Sequence, residues 1–200
     1  MARPVERDGL RTAFGKQPAP GPVHAGHQGL EGDAQADRRY HGGPEMAALA
    51  YSADHYPAWR VELDWPALPL GGFGENLSVS GASEQSVCIG DVWRAGSAVL
   101  QIASPRKPCH KISAYWGRPD LLLLVQQSGR SGWYLRVLEE GGLSAGDAIE
   151  LVDRPHPQWS VARANLAALQ RKSEAARELA EVFALSGRWK AWLLGHPARI

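Results

Sequence analysis

The sequence predicts a mainly β domain followed by a short helical segment. From Met1 to about Asp153 the chain is rich in glycine and proline, and its apolar residues form short strand-like runs without a long helical period. From Pro155 onward the apolar residues recur at helical spacing. The connecting stretch DRPHPQ holds two prolines, which favours a boundary there. We therefore predict two domains, residues 1–153 and 156–200.

Three runs in the first part have the pattern of strands. Apolar and small residues alternate from Ala98 to Ala103, and we expect Pro105 to stop that strand because proline donates no ladder hydrogen bond. The runs WYLRVL at 133–138 and AIELV at 148–152 are rich in strand-forming residues and are joined by a glycine-rich turn. A Gly-Asp pair opens a strand-like run twice, which favours a barrel built from similar hairpins.

Short helices are predicted elsewhere. Pro119-Asp120 before four leucines favours a helix start near Leu121. Ser173 is placed to cap the second of three C-terminal helices. The residues that share an apolar face by spacing are Trp159, Ala162, Leu166 and Leu169 in the first helix and Ala176, Leu179 and Phe183 in the second. The third short segment carries Trp189, Trp192 and Leu193. Such short helices are unstable alone, so we expect them to dock on the β domain or on a second subunit.

Composition argues against several classes of function. The 22 basic and 21 acidic residues leave a net charge of +1, which gives no electrostatic reason to expect a nucleic acid or a membrane surface as partner. No run approaches the roughly 18 apolar residues that a membrane span requires, and the N-terminus lacks the hydrophobic stretch of a secretory signal. We therefore expect a cytoplasmic protein whose two cysteines stay reduced.

A cysteine in a stiff, basic loop is the first candidate for chemistry. Cys109 lies in SPRKPCHK, where Pro105 and Pro108 keep the segment out of the sheet. Nearby cations favour the thiolate, which is both the nucleophile and the metal ligand. The basic neighbours are Arg106, Lys107, His110 and Lys111. The alternative is a surface loop with an incidental cysteine, while Cys88, in an apolar run, is predicted to be a core residue.

Two further clusters place polar residues beside glycines. The titratable members of the first, QADRRYHGGPEMA, are Asp37, Arg38, Arg39 and His41. Gly42 and Gly43 follow, and their backbone could approach an anion closely. The alternative is a solvated polar turn. The second cluster, GGFGENLSVSG, offers Glu75 and Asn76 but lacks the Lys-Ser/Thr ending of a phosphate loop.

Together these segments resemble the MOSC family, the domain at the C-terminal end of molybdenum-cofactor sulfurases. The motifs occur in the order seen in that family: GDAQADRRYHGGPE, GGFGENLSVSG, VCIGDVWR, SPRKPCHK and GWYLRVLEEGGLSAGDAIEL. The tail, from WSVARANLAAL to SGRWKAWLL, is similar to the three-helix domain that follows the barrel in the YiiM-like branch. The resemblance covers the chain from about Arg11 to Leu194.

The resemblance implies a MOSC-type antiparallel β-barrel with a cleft that binds the molybdenum cofactor (molybdopterin). In the family, a cysteine at the position matching Cys109 ligates molybdenum or carries sulfur, so Cys109 would be the catalytic residue and metal ligand here. The matching positions that would bind the anionic cofactor are Asp37, Arg38, His41, Glu75, Asn76, Arg106 and Lys111. At the level of the whole family, the resemblance also implies pyridoxal phosphate binding.

The resemblance further implies a molybdenum-dependent oxidoreductase that detoxifies N-hydroxylated compounds, such as N-hydroxylated purine and pyrimidine bases. Its partners would be a small N-hydroxylated substrate and an electron-donating reductase, either a flavin protein or an iron-sulfur protein. A homodimer is left open, as is the role of the three-helix tail.

This chain departs from the family pattern at two places. The family usually carries a lysine after His-Gly-Gly-Pro-acidic, whereas this chain has Met46, which puts the affinity for an anionic group in doubt. The family also usually begins with a β-strand before the segment matching ARPVERDG. We therefore expect the true start of the chain to lie upstream.

Other functions remain as alternatives. Cys109 could hold a persulfide or the cofactor and pass it to another protein, as a carrier without enzymatic activity. A thiol hydrolase using Cys109 with His41 or His110 would need a nucleophile motif that the sequence lacks. His24 and His27 suggest zinc, but no cysteine pair stands at ligand spacing.

Overall fold

The fold is built on a six-stranded sheet that curls into a half-barrel. The computed structural model describes residues 1–2, 4–7, 9–37, 39 and 41–196. Its strands are Val5–Arg7 (β1), Leu10–Thr12 (β2), Val23–Gly26 (β3), Gly29–Leu30 (β4), Ala48–Ser52 (β5), Leu77–Val79 (β6), Val92–Ala95 (β7), Ala98–Pro105 (β8), Trp133–Glu139 (β9), Gly141–Leu143 (β10) and Ile149–Asp153 (β11). The large sheet has the order β11-β7-β8-β9-β5-β6, and only β5 and β6 pair in parallel among its described strands. The predicted mainly β, largely antiparallel architecture is confirmed.

Two smaller sheets complete the β part. β1 and β2 form a hairpin, and β10, β3 and β4 form a three-stranded sheet. The strand predicted to end near Ala103 continues to Pro105, which lies opposite Trp133 of β9. The extension is tolerated because proline is the last residue of the strand, and the register shifts between Ile102 and Ser104.

Six short α-helices accompany the sheets in the described part of the chain. They are Tyr56–Glu62 (α1), Lys111–Trp116 (α2), Leu121–Ser128 (α3), Val161–Leu169 (α4), Glu174–Glu181 (α5) and Gly187–Leu193 (α6). The helix start predicted at Leu121 is confirmed. None of the helices within the described ranges is both long and apolar enough to cross a membrane.

The three C-terminal helices dock on the β part rather than standing apart. Trp159, Leu179 and Trp189 lie in one buried cluster with Trp93 and Trp133 of the sheet. Ser173 caps α5 as predicted, since its side chain accepts a hydrogen bond from the Ala176 N–H. That the two segments are separate domains stays a prediction.

The face predicted for the first of these helices is wrong. Trp159 is buried but precedes α4, and Leu166 and Leu169 are 66% and 81% exposed. The residues that α4 buries are Val161, Ala164, Ala167 and Ala168. Small side chains let the helix axis lie close to the sheet, so packing selected the alanine face although the leucines are more apolar. Phe183 also fails the prediction, because it follows the end of α5 and is 88% exposed.

An ion pair between a buried carboxylate and an exposed arginine ties the linker before α4 to the sheet. Asp91 is fully buried just before β7, and its carboxylate accepts from Arg154 Nε at 2.8 Å and Nη2 at 2.6 Å. The same carboxylate accepts the Cys88 N–H at 2.9 Å. Because the two Arg154 bonds are parallel, the pair fixes direction as well as distance.

Removing the Arg154 guanidinium is expected to destabilise the fold. Arg154→Met leaves the Asp91 carboxylate buried without its charged partner, so we expect the free energy of unfolding to fall by about 2–3 kcal/mol in urea denaturation. Arg94→Met, which removes the same side chain from an exposed position of β7, should change it by less than about 0.5 kcal/mol. Equal effects of the two substitutions would contradict a structural role for the pair.

Candidate active site

Cys109 lies in a loop whose two ends are fixed. Residues 106–110 connect β8 to α2. The Arg106 N–H donates to the Gly132 carbonyl at 3.0 Å, and the Cys109 carbonyl accepts from the Ile112 N–H at 3.2 Å. Cys109 is partly exposed, whereas Cys88 is buried as predicted. The thiol is therefore presented to solvent from a defined position at the end of the longest strand.

Two cavities meet at this thiol. The narrower has a volume of about 100 Å³ and the wider about 750 Å³. The residues that line both are His41, Gly42, Met46, Lys107, Cys109, Lys111 and Tyr134. Cys109 can therefore contact molecules in either cavity.

His41 is held in its neutral form. The backbone N–H of His41 donates to the Asp37 carbonyl at 3.1 Å. The next two residues, Gly42 and Gly43, have positive φ angles of 83° and 85°. Burial is the largest cause, and together with the positive charges of Lys111 and Arg106 it lowers the pKa of His41 from 6.5 to about 4. At neutral pH the imidazole can therefore donate one hydrogen bond and accept another without carrying charge.

Basic residues line the cavities at Cys109. Arg106 is 5% exposed and lines the narrower cavity, where its guanidinium also interacts with Tyr134. Lys111, the first residue of α2, and Lys107 line both cavities. Burial and the nearby Arg171 lower the pKa of Lys107. The cavity is thus suited to an anionic ligand.

The acidic residues near the site are already paired. Asp37 accepts from Arg39 Nε at 3.1 Å and Nη2 at 3.0 Å, and these hydrogen bonds lower the pKa of Asp37 to about 2. In the narrower cavity, Lys16 Nζ lies 2.5 Å from the Asp33 carboxylate. These pairings leave the positive charge of Arg106, Lys107 and Lys111 largely uncompensated.

Asn76 and Glu75 are placed differently. Asn76 lines the narrower cavity, donating to Asp33 Oδ2 at 2.9 Å and accepting from the Leu49 N–H at 3.1 Å. Glu75 is 2% exposed, and its carboxylate accepts from the N–H groups of Gly71 and Phe73 at 2.8 and 3.1 Å. The Tyr56 and Ser78 hydroxyls donate to the same carboxylate. Its described contacts hold the glycine-rich loop, and it lines neither cavity at Cys109.

The structure brings most of the predicted site residues together. Asp37, His41, Asn76, Arg106, Cys109 and Lys111 line one or both cavities, Glu75 does not, and Arg38 lies outside the described residues. No sequence motif pointed to Tyr134, Arg188 and Trp189, which also line the wider cavity. These three are far from Cys109 along the chain, and only the folded sheet and the docked tail bring them near.

The alternative histidines lie elsewhere or lack partners for metal binding. His24 Nε2 is 3.8 Å from Glu140, and His27 Nδ1 is 3.0 Å from the Val137 carbonyl. His110 lines the wider cavity beside Cys109. Over the described part of the chain, no three His, Cys, Asp or Glu side chains are grouped to hold a metal ion.

Comparison with known proteins identifies the family. The sequence pattern of the MOSC domain matches residues 37–150. The chain belongs to the MOSC family. The YflK protein of Bacillus subtilis is 45% identical over 163 residues, which are 80% of this chain and 73% of YflK.

Two further relatives define the branch and its context. The crystal structure of YiiM from Geobacillus stearothermophilus matches this MOSC protein with a TM-score of 0.82 and 32% identity, covering 96% of this chain and 93% of that one. The resemblance to the YiiM-like branch is thereby confirmed. A protein named Reductase from Gibberella moniliformis is 41% identical over 157 residues, which are 76% of this chain but 28% of that protein.

The titration of His41 should follow from its burial and its cationic neighbours. The pKa of His41 is about 4 in the folded protein, against an ordinary value of 6.5. Between these two pH values the unfolded chain therefore binds a proton on His41 that the folded chain does not. The free energy of unfolding of the wild type should therefore decrease relative to His41→Gln as the pH falls from about 6.5 to about 4.

NMR titration of the imidazole checks the cause directly. Lys111→Met should raise the pKa of His41, because it removes a positive charge, while burial keeps the value below 6.5. A midpoint near 6.5 in the wild-type protein would contradict the burial of this imidazole.

Proposed function

We propose that this MOSC protein binds the molybdenum cofactor with Cys109 as a molybdenum ligand and reduces N-hydroxylated compounds. The observation that carries the proposal is the position of the Cys109 thiol, which lies where two cavities lined by Lys107 and Lys111 meet. A soft thiolate suits such a metal, and the cations suit an anionic cofactor.

The chemistry of the donor set supports this cofactor. A metal held at Cys109 would have a single protein thiolate, since the described residues contain no group of three metal-binding side chains. Its remaining ligands must then come from a cofactor that carries the metal. Arg106, Asn76 and Lys111 line the narrower cavity beside Cys109, where they would contact a cofactor held at the thiol. Glu75 supports the proposal only indirectly, through the loop it holds, and pyridoxal phosphate binding stays a prediction.

The reaction needs electrons and protons. An N-hydroxylated compound R–NH–OH takes two electrons and two protons and gives R–NH₂ and water, and the cofactor would supply the two-electron redox chemistry. Lys107, whose pKa is lowered, is a candidate proton donor. Neutral His41 can hold the N–OH group by hydrogen bonds. We further propose that a flavin or iron-sulfur reductase in the cytoplasm supplies the electrons.

The relative named Reductase supports a redox role. This chain covers 28% of that protein, so the activity of the whole protein is carried over only as part of the proposal. The partly exposed Cys109 is also compatible with a carrier of sulfur or of the cofactor. The first experiment separates these two functions.

Molybdenum content should depend on Cys109. We expect close to one molybdenum per chain in wild-type protein from a cofactor-producing host, and at least about a tenfold loss in Cys109→Ala, because the thiolate ligand is gone. Elemental analysis of the purified proteins measures this. Cys88→Ala, which removes a thiol from the core, is the matched control and should keep its molybdenum.

Activity and sulfur analysis complete the test. The wild type should reduce an N-hydroxylated purine with an artificial electron donor, and Cys109→Ala should not. Equal molybdenum in wild type and Cys109→Ala would refute ligation by this cysteine. A metal-free wild type that carries labile sulfur on Cys109 would establish the carrier instead.

A further inference from the structure

The wider cavity is completed by the C-terminal helical tail. Ser186, Arg188 and Trp189, at the start of α6, line it together with residues of the Cys109 loop. None of the three lines the narrower cavity, whose described lining residues all precede Arg136 in the chain. Conversely, Arg106 and Asn76 line only the narrower cavity. The two cavities therefore present different walls to whatever binds on each side of the thiol.

The start of α6 is held firmly against the site. The Ser186 N–H donates to the Ala103 carbonyl of β8 at 2.8 Å. The Gly187 N–H donates to both carboxylate oxygens of Glu45, at 2.9 and 3.1 Å. Glu45 belongs to the segment that follows Gly43, so this contact joins the tail to the predicted ligand-binding loop. Arg188 is therefore carried into the cavity by a fixed backbone.

The Arg188 guanidinium is part of the electrostatics of the site. Its Nη1 lies 3.9 Å from Met46 Sδ, and its Nη2 donates to the Arg39 carbonyl at 3.4 Å. Its positive charge is one of the influences that lower the pKa of His41. Arg188 is thus a cation of the Cys109 cavity that comes from the tail.

The wider cavity keeps an excess of positive charge. Among the described residues that line it, Lys107, Lys111 and Arg188 are basic, and Asp37 and Glu45 are acidic. Both acids are engaged by arginines, since Asp37 pairs with Arg39 and Glu45 lies 3.5 Å from Arg136. A ligand of this cavity would gain from carrying a negative group.

We propose that Arg188 binds an anionic group of the substrate, a phosphate or a carboxylate, and thereby selects N-hydroxylated compounds that carry such a group. The assignment to the substrate rests on the proposed function and on the separate walls: Arg106 and Asn76 line only the narrower cavity, whereas Arg188 lines only the wider one, whose volume of about 750 Å³ leaves room for a substrate beside a cofactor held at Cys109. The guanidinium suits either anion because it can donate two parallel hydrogen bonds.

The test compares a neutral ligand with its phosphorylated form. Adenosine 5′-monophosphate and adenine serve as non-reducible probes in calorimetric titrations of the molybdenum-containing protein. Arg188→Gln should weaken binding of the monophosphate about tenfold or more and leave adenine unchanged. Arg188→Lys should recover part of the affinity. Arg177→Gln, which removes the same charge from an exposed position of α5, should bind both probes like the wild type.

Kinetics and metal content distinguish the two sources of phosphate. With an N-hydroxylated adenine and its nucleoside 5′-monophosphate as substrates, Arg188→Gln should raise KM about tenfold for the monophosphate only, at unchanged molybdenum content. Loss of molybdenum in Arg188→Gln would show that Arg188 binds the cofactor, and an equal effect on both probes would also overturn the proposal. If the wild type reduces neither substrate, the proposed function fails, while the calorimetry still decides whether Arg188 binds an anion.

Discussion

Strand β8 is the constraint on which the rest of the structure depends. It pairs with β7 on one side and β9 on the other, and all of its residues except Gln101 are buried. The end of β8 leads directly into the loop of Cys109. Near that end, the Ala103 carbonyl accepts a hydrogen bond from the Ser186 N–H of the tail. A buried strand fixed on both edges cannot shift without breaking two ladders, so the thiol and the tail keep one relative position.

The site combines a neutral imidazole with several cations. Burying a charged group costs free energy unless an opposite charge lies close to it. Here the nearby acids pair with other arginines, as in the Asp37–Arg39 pair. The result is a cavity that stays positive while His41 stays uncharged. Such an arrangement suits an anionic ligand and leaves the imidazole free to form hydrogen bonds at neutral pH.

Arg188 lies beside Met46, the residue at which this chain departs from the family pattern. Met46 lines both cavities, and the guanidinium of Arg188 lies against its sulfur at 3.9 Å. A positive charge is therefore present at this wall although residue 46 is apolar. Sequence reasoning could not place it there, because 142 positions separate the two residues and α6 has no motif that points to the cavity.

Local patterns in the sequence determined the β class, the loop of Cys109 and several of the helices and strands. Alternation, prolines and capping residues act over a few positions, so the strands at 133–138 and 148–152, the helix at Leu121 and the cap at Ser173 could be predicted. Only the tertiary structure decided which helix face is buried, since Leu166 is exposed while Ala164 packs on the barrel. It likewise decided that Glu75 holds a loop and that the tail reaches the cavity. Those outcomes depend on close packing and hydrogen bonds between distant segments, which periodicity along the chain does not encode.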